Sequence, residues 1–196
     1  MVKLVCFLGN PGREYQDTRH NIGWMMAEEF SQKFDPEWKE KFSGSYAVLK
    51  GSDLGCQIRP GSSLILLKPG TFMNRSGESL SQACSFFKIS PKMTLVVHDD
   101  LELPFGTVSF RLGGGTAGHN GLRSLVSSLG TEKFFRFRIG ISRPAHGNVS
   151  SYVLRKFAPQ EEKVLPAYLS RAAEHLWECI ERPEAYLERY SKIRIL

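Results

Sequence analysis

The chain lacks any apolar run approaching the ~20 residues that span a bilayer. Its N-terminal run, Leu4-Val5-Cys6-Phe7-Leu8, breaks at Asn10-Pro11 and is too short for a signal-peptide core. Cysteine is scarce: the four residues Cys6, Cys56, Cys84 and Cys179 lie far apart, with no C-x-x-C pair and no histidine at zinc-ligand spacing. They read as free thiols of a reducing compartment, so a cytoplasmic location without membrane association is expected. In that setting the Asn-x-Ser matches at Asn74 and Asn148 carry no glycan. Also missing are a G-x-S-x-G elbow, a P-loop, an H-E-x-x-H helix, internal repeats and low-complexity stretches. Acidic residues are the minority, 20 against 26 lysines and arginines, and the formal net charge of +6 favours a polyanionic partner.

What is present is patterned as α/β. At 196 residues and 41% hydrophobic, with no shift in composition, one domain over 1–196 is expected. The run from Leu4 reads as a buried strand that ends at Asn10 in the turn Gly9-Asn10-Pro11-Gly12. Ile22, Met26 and Phe30 then fall at helical spacing. Ser45 to Lys50 and Cys56 to Arg59 read as a hairpin, Ser63 to Lys68 and Thr94 to Val97 as buried strands, and Thr107 to Leu112 and Phe135 to Ile141 as alternating ones. Helices are expected after Ser76, after the glycine-rich Gly113–Gly121 stretch, from Pro159 with a kink or restart at Pro166, and over Glu184 to Tyr190 before a basic tail. The hairpin connections forbid an all-parallel sheet. The fold class is therefore α/β, a mixed and partly parallel sheet flanked by helices with a helical C-terminal region.

Three core strands run into polar clusters: Asn10 with His20, Met73-Asn74, and His98-Asp99. Carboxyl ends of parallel strands share one edge, so these clusters and Asn120 of the glycine-rich stretch converge on one crevice. A site with a histidine, an aspartate and several asparagines, but no serine or cysteine nucleophile, suits attack by water. His20 would take the proton, Asp99 would orient the imidazole, and Asn74 and Asn120 would donate to a carbonyl oxygen or hold substrate. Taken singly, each also reads as scaffold: His20 as a cap, Asp99 as a turn residue, the asparagines as loop formers.

Other readings remain open. Gly113-x-Gly115-x-x-Gly118 formally matches a dinucleotide fingerprint, but Glu132 precedes the next strand instead of ending it, and Thr107 to Leu112 looks antiparallel to its neighbour. Asp99, Asp100 and Glu102 read as a solvated turn more readily than as a cation site, and no metal is expected. Arg111, Arg136 and Arg138 are candidates for phosphate, or a strand face paired with acids.

Together the segments Leu8-Gly9-Asn10-Pro11-Gly12 with Tyr15, Thr18-Arg19-His20-Asn21, Lys68-Pro69 with Thr71-Phe72-Met73-Asn74 and Ser76-Gly77, His98 to Pro104, Leu112 to Gly115, Gly118 to Leu122 and Arg136 to Ile141 resemble the bacterial-type peptidyl-tRNA hydrolases, in order and from residue 4 to about 157. The resemblance implies hydrolysis of the ester joining a peptide to the 3′ ribose of tRNA, without cofactor or metal, by a monomer. It makes His20 the general base, Asp99 its orienting partner, and Asn10, Asn74 and Asn120 the residues that hold an N-blocked aminoacyl group. Tyr15, Phe72 and Met73 would line the tRNA or peptide site, and Arg111 and Arg138 would grip a tRNA phosphate. Three departures stand out: Arg111 where lysine is usual, Thr116-Ala117 where His-Gly is more common, and reversed acid lengths at Asp100 and Glu102. A catalytically inactive RNA-binding module and a nucleotide-dependent enzyme using the glycine stretch are the competing functions.

Overall fold

The computed structural model describes residues 1–51, 63–189 and 192–196, so the Cys56 to Arg59 run, Cys56 itself and Tyr190 lie outside the described residues. Among the described residues eight strands form one mixed sheet: β1 (Leu4–Phe7), β2 (Lys39–Lys41), β3 (Gly44–Lys50), β4 (Ser63–Pro69), β5 (Thr94–Asp100), β6 (Thr107–Leu112), β7 (Phe135–Gly140) and β8 (Ile193–Arg194). Their spatial order is β2-β3-β4-β1-β5-β7-β6-β8. The four central strands β4, β1, β5 and β7 are parallel, and the outer strands pair antiparallel. The helices are α1 (Ile22–Phe34), α2 (Ser76–Phe87), α3 (Asn120–Leu129), α4 (Val149–Val153), α5 (Pro159–Glu181) and α6 (Pro183–Arg189).

The period-2 geometry of a strand splits the core into two layers. From β1, Val5 and Phe7 enter the layer that holds Met26 and Phe30 of α1 and Tyr168, Ala172 and Leu176 of α5. Leu4, Cys6 and Leu8 enter the opposite layer with Leu80 and Ala83 of α2 and Leu122 and Leu125 of α3. Burying a side chain such as Phe7 or Phe30 contributes about 1.5–3 kcal/mol, so both faces of β1 fix its place at the centre. The neighbours of β1 are β4 on one side and β5 on the other. That is a topological switch point, where a crevice opens beyond the strands' carboxyl ends.

Several boundaries differ from the sequence reading. β1 ends at Phe7, although Leu8 still donates its N–H to Val97 at 3.0 Å. β5 runs on through His98, Asp99 and Asp100, because β7 pairs with it up to Gly140 and supplies backbone partners. β3 pairs with β2 and β4, and the charged Lys-Glu-Lys of β2 carries no alternation that would mark it as a strand. α5 is one helix across Pro166, where a kink or restart was expected. Pro166 and Glu162 are both exposed, so water can replace the bond that the ring denies to the Glu162 carbonyl. The basic tail supplies β8, with Ile195 buried behind it.

α2 and α3 must lie close for α3 to reach the strand ends. Gly77 permits this: its N–H donates to Ser124 Oγ at 2.9 Å, and a Cβ there would sit 2.2 Å from the Ser124 carbonyl oxygen. Gly77→Ala gains at most about 1 kcal/mol in helix propensity but meets backbone that no rotamer can relieve, at a cost of about 2–3 kcal/mol, the upper part of the overpacking range. A net loss of about 1–2 kcal/mol in denaturant unfolding, with a parallel loss of activity as α3 shifts, is expected; an unchanged midpoint would show that the helices part freely.

Candidate functional site

The carboxyl ends of the parallel strands open into a cavity of about 740 Å³. Its lining includes the ten residues to which the resemblance gave a role, Asn10, Tyr15, His20, Phe72, Met73, Asn74, Asp99, Arg111, Asn120 and Arg138, and also Arg136, the third arginine of the sequence reading. His20 sits in a 3-10 turn, Arg19–Asn21, directly ahead of α1. Arg19 pins that turn: its guanidinium pairs with Glu161 at 2.6 Å, lies 4.3 Å over the Tyr152 ring, and its N–H donates to the Arg155 carbonyl at 3.0 Å.

At the floor, one carboxylate oxygen serves two imidazoles. Asp99 Oδ1 lies 2.9 Å from His20 Nδ1 and 3.0 Å from His119 Nε2, and Asp99 is 2% exposed. His119 caps α3, its Nδ1 accepting the N–H groups of Gly121 and Leu122 at 3.1 and 3.3 Å. A nitrogen that accepts two amides carries no proton, so the His119 proton sits on Nε2 and points at Asp99. His20 likewise donates from Nδ1, which leaves its Nε2 as the bare lone pair. Burial alone would raise the Asp99 carboxyl, but the two imidazoles outweigh it and hold Asp99 well below the ordinary carboxylate range. For His20, burial lowers the pKa, and the charge and hydrogen bond of Asp99 more than offset it, leaving it above the usual 6.5.

The flanking groups are held as firmly. Asn21, fully buried, accepts from the Asn10 N–H and donates to the Asn10 carbonyl, both at 2.9 Å. Asn10 Oδ1 accepts the Met73 N–H at 2.7 Å, so the Asn10 side-chain NH₂ remains as a donor beside the cavity. Asn74 and Asn120 are exposed on the lining. Phe72, 54% exposed, meets the Tyr15 ring edge-on at 6.3 Å and forms an aromatic rim. Arg138 pairs with Asp100 at 2.7 Å, and Arg111 is exposed.

A single family model, described as peptidyl-tRNA hydrolase, matches residues 4–195. The chain belongs to the peptidyl-tRNA hydrolase family. The peptidyl-tRNA hydrolase of Treponema pallidum is 46% identical over 179 residues, covering 89% of this chain and 85% of that relative. That of Geotalea uraniireducens is 48% identical over 169 residues, covering 86% and 84%. The crystal structure of peptidyl-tRNA hydrolase from Acinetobacter baumannii superposes with a TM-score of 0.83 at 32% identity, covering 97% of this chain and 96% of that one. Membership of the peptidyl-tRNA hydrolase family and the mixed sheet agree with the sequence reading.

Two histidines were given no role in that reading, although His98 was placed in the strand-end cluster with Asp99. His119 lies in the glycine-rich stretch, where capping and function have the same sequence signature; the one available signal was its place at the start of a helix facing a strand end. His98 is buried, its Nδ1 2.7 Å from the Asp99 carbonyl oxygen and its ring edge-on to His119 at 5.1 Å. The dinucleotide reading falls because β6 and β7 are antiparallel. The acidic turn is likewise engaged: Asp100 holds Arg138 and the Glu102 N–H, and Glu102 pairs with Arg143. His20, Asp99 and His119 do bring ligand-type atoms within 4.8 Å of one another. The His119 nitrogen facing Asp99 bears the proton, however, and shifting it to Nδ1 would uncap α3. Protons suit this trio better than a metal ion. No helix of the described residues is long and apolar enough to cross a membrane.

Burial, and then the neighbouring His119, push the His98 pKa down to about 3. An unfolded His98 takes up its proton near ~6.5, so between those values the unfolded chain binds more protons and stability falls as pH drops. His98→Gln should lose stability less steeply than the parent from about pH 6.5 to pH 4 in urea unfolding. Parallel curves would mean that the folded protein protonates His98 freely.

Proposed function

We propose that His20 is the general base and Asp99 its orienting partner in an enzyme that hydrolyses the ester between the peptide and the 3′ ribose of peptidyl-tRNA. The observation that carries this is the bare Nε2 that the 2.9 Å His20–Asp99 hydrogen bond leaves at the cavity. His20 Nε2 removes a proton from water as the water oxygen bonds to the ester carbonyl carbon. The oxyanion that forms meets side-chain donors, with the Asn10 NH₂ held in place by Met73 and Asn21. On collapse the carbon–oxygen bond to the ribose breaks, and the departing 3′ oxygen takes the proton from His20. tRNA and a free peptide result, with no covalent enzyme intermediate.

Asn74 and Asn120 would hold the N-blocked aminoacyl group, and Tyr15, Phe72 and Met73 would take the terminal nucleotide or the first peptide residues. Arg111 and Arg138 would grip a tRNA phosphate, Arg138 through the guanidinium nitrogens that its Nε bond to Asp100 leaves over. In this reading the protein works as a single-domain monomer in the cytoplasm, where translation supplies the substrate.

Asp99→Asn should lower kcat by about 10²- to 10⁴-fold, because the amide can hold the wrong tautomer of His20, with tRNA affinity little changed. Because Asp99 raises the His20 pKa, the imidazole stays protonated to higher pH, and kcat/KM should fall on the acid side with a midpoint above 6.5. Loss of that limb in His20→Ala together with its turnover is the expected outcome, and undiminished turnover would remove His20 from the role. Arg138→Ala should weaken binding and reduce the slope of log affinity against log salt by about 1; an unchanged slope would refute the phosphate contact.

A further inference from the structure

Arg136 and Arg138 are equivalent in the sequence pattern but not in the fold. Both border the cavity, but Arg138 pairs there with Asp100, whereas Arg136 is 2% exposed and its two terminal nitrogens donate to consecutive carbonyls, Nη1 to Gly115 at 2.6 Å and Nη2 to Gly114. Among the described residues no carboxylate lies at ion-pair distance from Arg136 or Arg111, and Arg111 stands directly opposite Arg136 across β6 and β7. Like charges so paired cost stability, and a buried guanidinium without an acid costs more. The Phe134 ring, 4.9 Å from the guanidinium carbon, and the charges of Glu132 and Asp100 beyond ion-pair distance offset part of this, and the rest falls to the two carbonyls that Arg136 holds.

Those carbonyls belong to the loop between β6 and α3. Gly114 takes φ of +102°, and a Cβ there would overlap the Arg111 guanidinium at 1.6 Å. The loop is thus packed against two arginines at its start and delivers His119 and Asn120 at its end, His119 reaching Asp99 at 3.0 Å. We propose that Arg136 is a positioning residue: its fork fixes the glycine-rich loop so that His119 and Asn120 arrive at the Asp99 carboxylate in register, and it does not itself bind the tRNA. The planar fork meets the two successive carbonyls from two nitrogens in a fixed geometry, which the single ammonium on lysine's flexible stem does not reproduce.

The inference rests on the role proposed for His20, and the test separates the two. Arg136→Lys and Arg136→Met are assayed with N-acetyl-aminoacyl-tRNA and with the same ester on adenosine alone, well below the melting temperature of each variant, alongside His20→Ala. The expected result for Arg136→Lys is a kcat on the order of ten- to a hundredfold lower with both substrates, KM for the tRNA substrate and its salt slope unchanged, and faster amide hydrogen exchange at Gly121 and Leu122. Arg136→Met, which removes the charge as well, should lose at least as much kcat. A raised KM and a shallower salt slope for the tRNA substrate alone would make Arg136 a phosphate ligand and overturn the proposal. A lower melting temperature with unchanged kcat and unchanged exchange at α3 would overturn it as well. Full turnover by His20→Ala would instead sink the reading of His20, while the exchange data at Gly121 and Leu122 would still decide whether Arg136 holds the loop.

Discussion

A single carboxylate oxygen, Asp99 Oδ1, organises the site. It accepts from His20 and His119 at once, and each of those bonds fixes something further away. Through His20 it determines which imidazole nitrogen is left bare at the cavity. Through His119 it ties the first turn of α3 to the end of β5, because the other nitrogen of the same ring caps that helix. Burying a carboxylate costs several kcal/mol unless charge and hydrogen bonds compensate it, so the two imidazoles and Asp99 depend on one another. Removing any one leaves a buried group without its partner.

The sheet makes this convergence possible. β1, β4 and β5 are parallel and adjacent, so Asn10, Met73 and Asp99 come from one edge although up to 89 residues separate them in the chain. Charge is layered over the same edge: an acid lies at the floor, with Arg111 and Arg138 on the β6–β7 face beside it. Cationic side chains next to a buried imidazole suit a substrate whose phosphates anchor away from the bond that is cut. The excess of basic residues over the whole chain adds a longer-range, salt-sensitive attraction.

Much of this was legible in the sequence, for identifiable reasons. His20, Asp99 and the asparagines stand beside glycine turns at the ends of apolar runs, and those runs have a period that specifies strands. His119 was not legible, because its two roles, capping a helix and donating to a carboxylate, need a partner 20 residues away that no local pattern marks. Arg136 and Arg138 share a face by alternation, yet burial separates them, and burial depends on where the glycine loop folds back. Pro166 misled because the cost of a proline depends on whether the freed carbonyl meets water. β8 was hidden within the basic tail, since an edge strand of two residues has no alternation to show.

The central claim concerns where two protons sit, and ¹⁵N NMR of the histidine side chains reads that directly. At a pH above the titration of His20, the account predicts a protonated Nδ1 with a bare Nε2 for His20, and the reverse for His119. Finding His20 protonated on Nε2, or His119 on Nδ1, would contradict it, since no base would then face the cavity or the helix cap and the carboxylate bridge would not coexist.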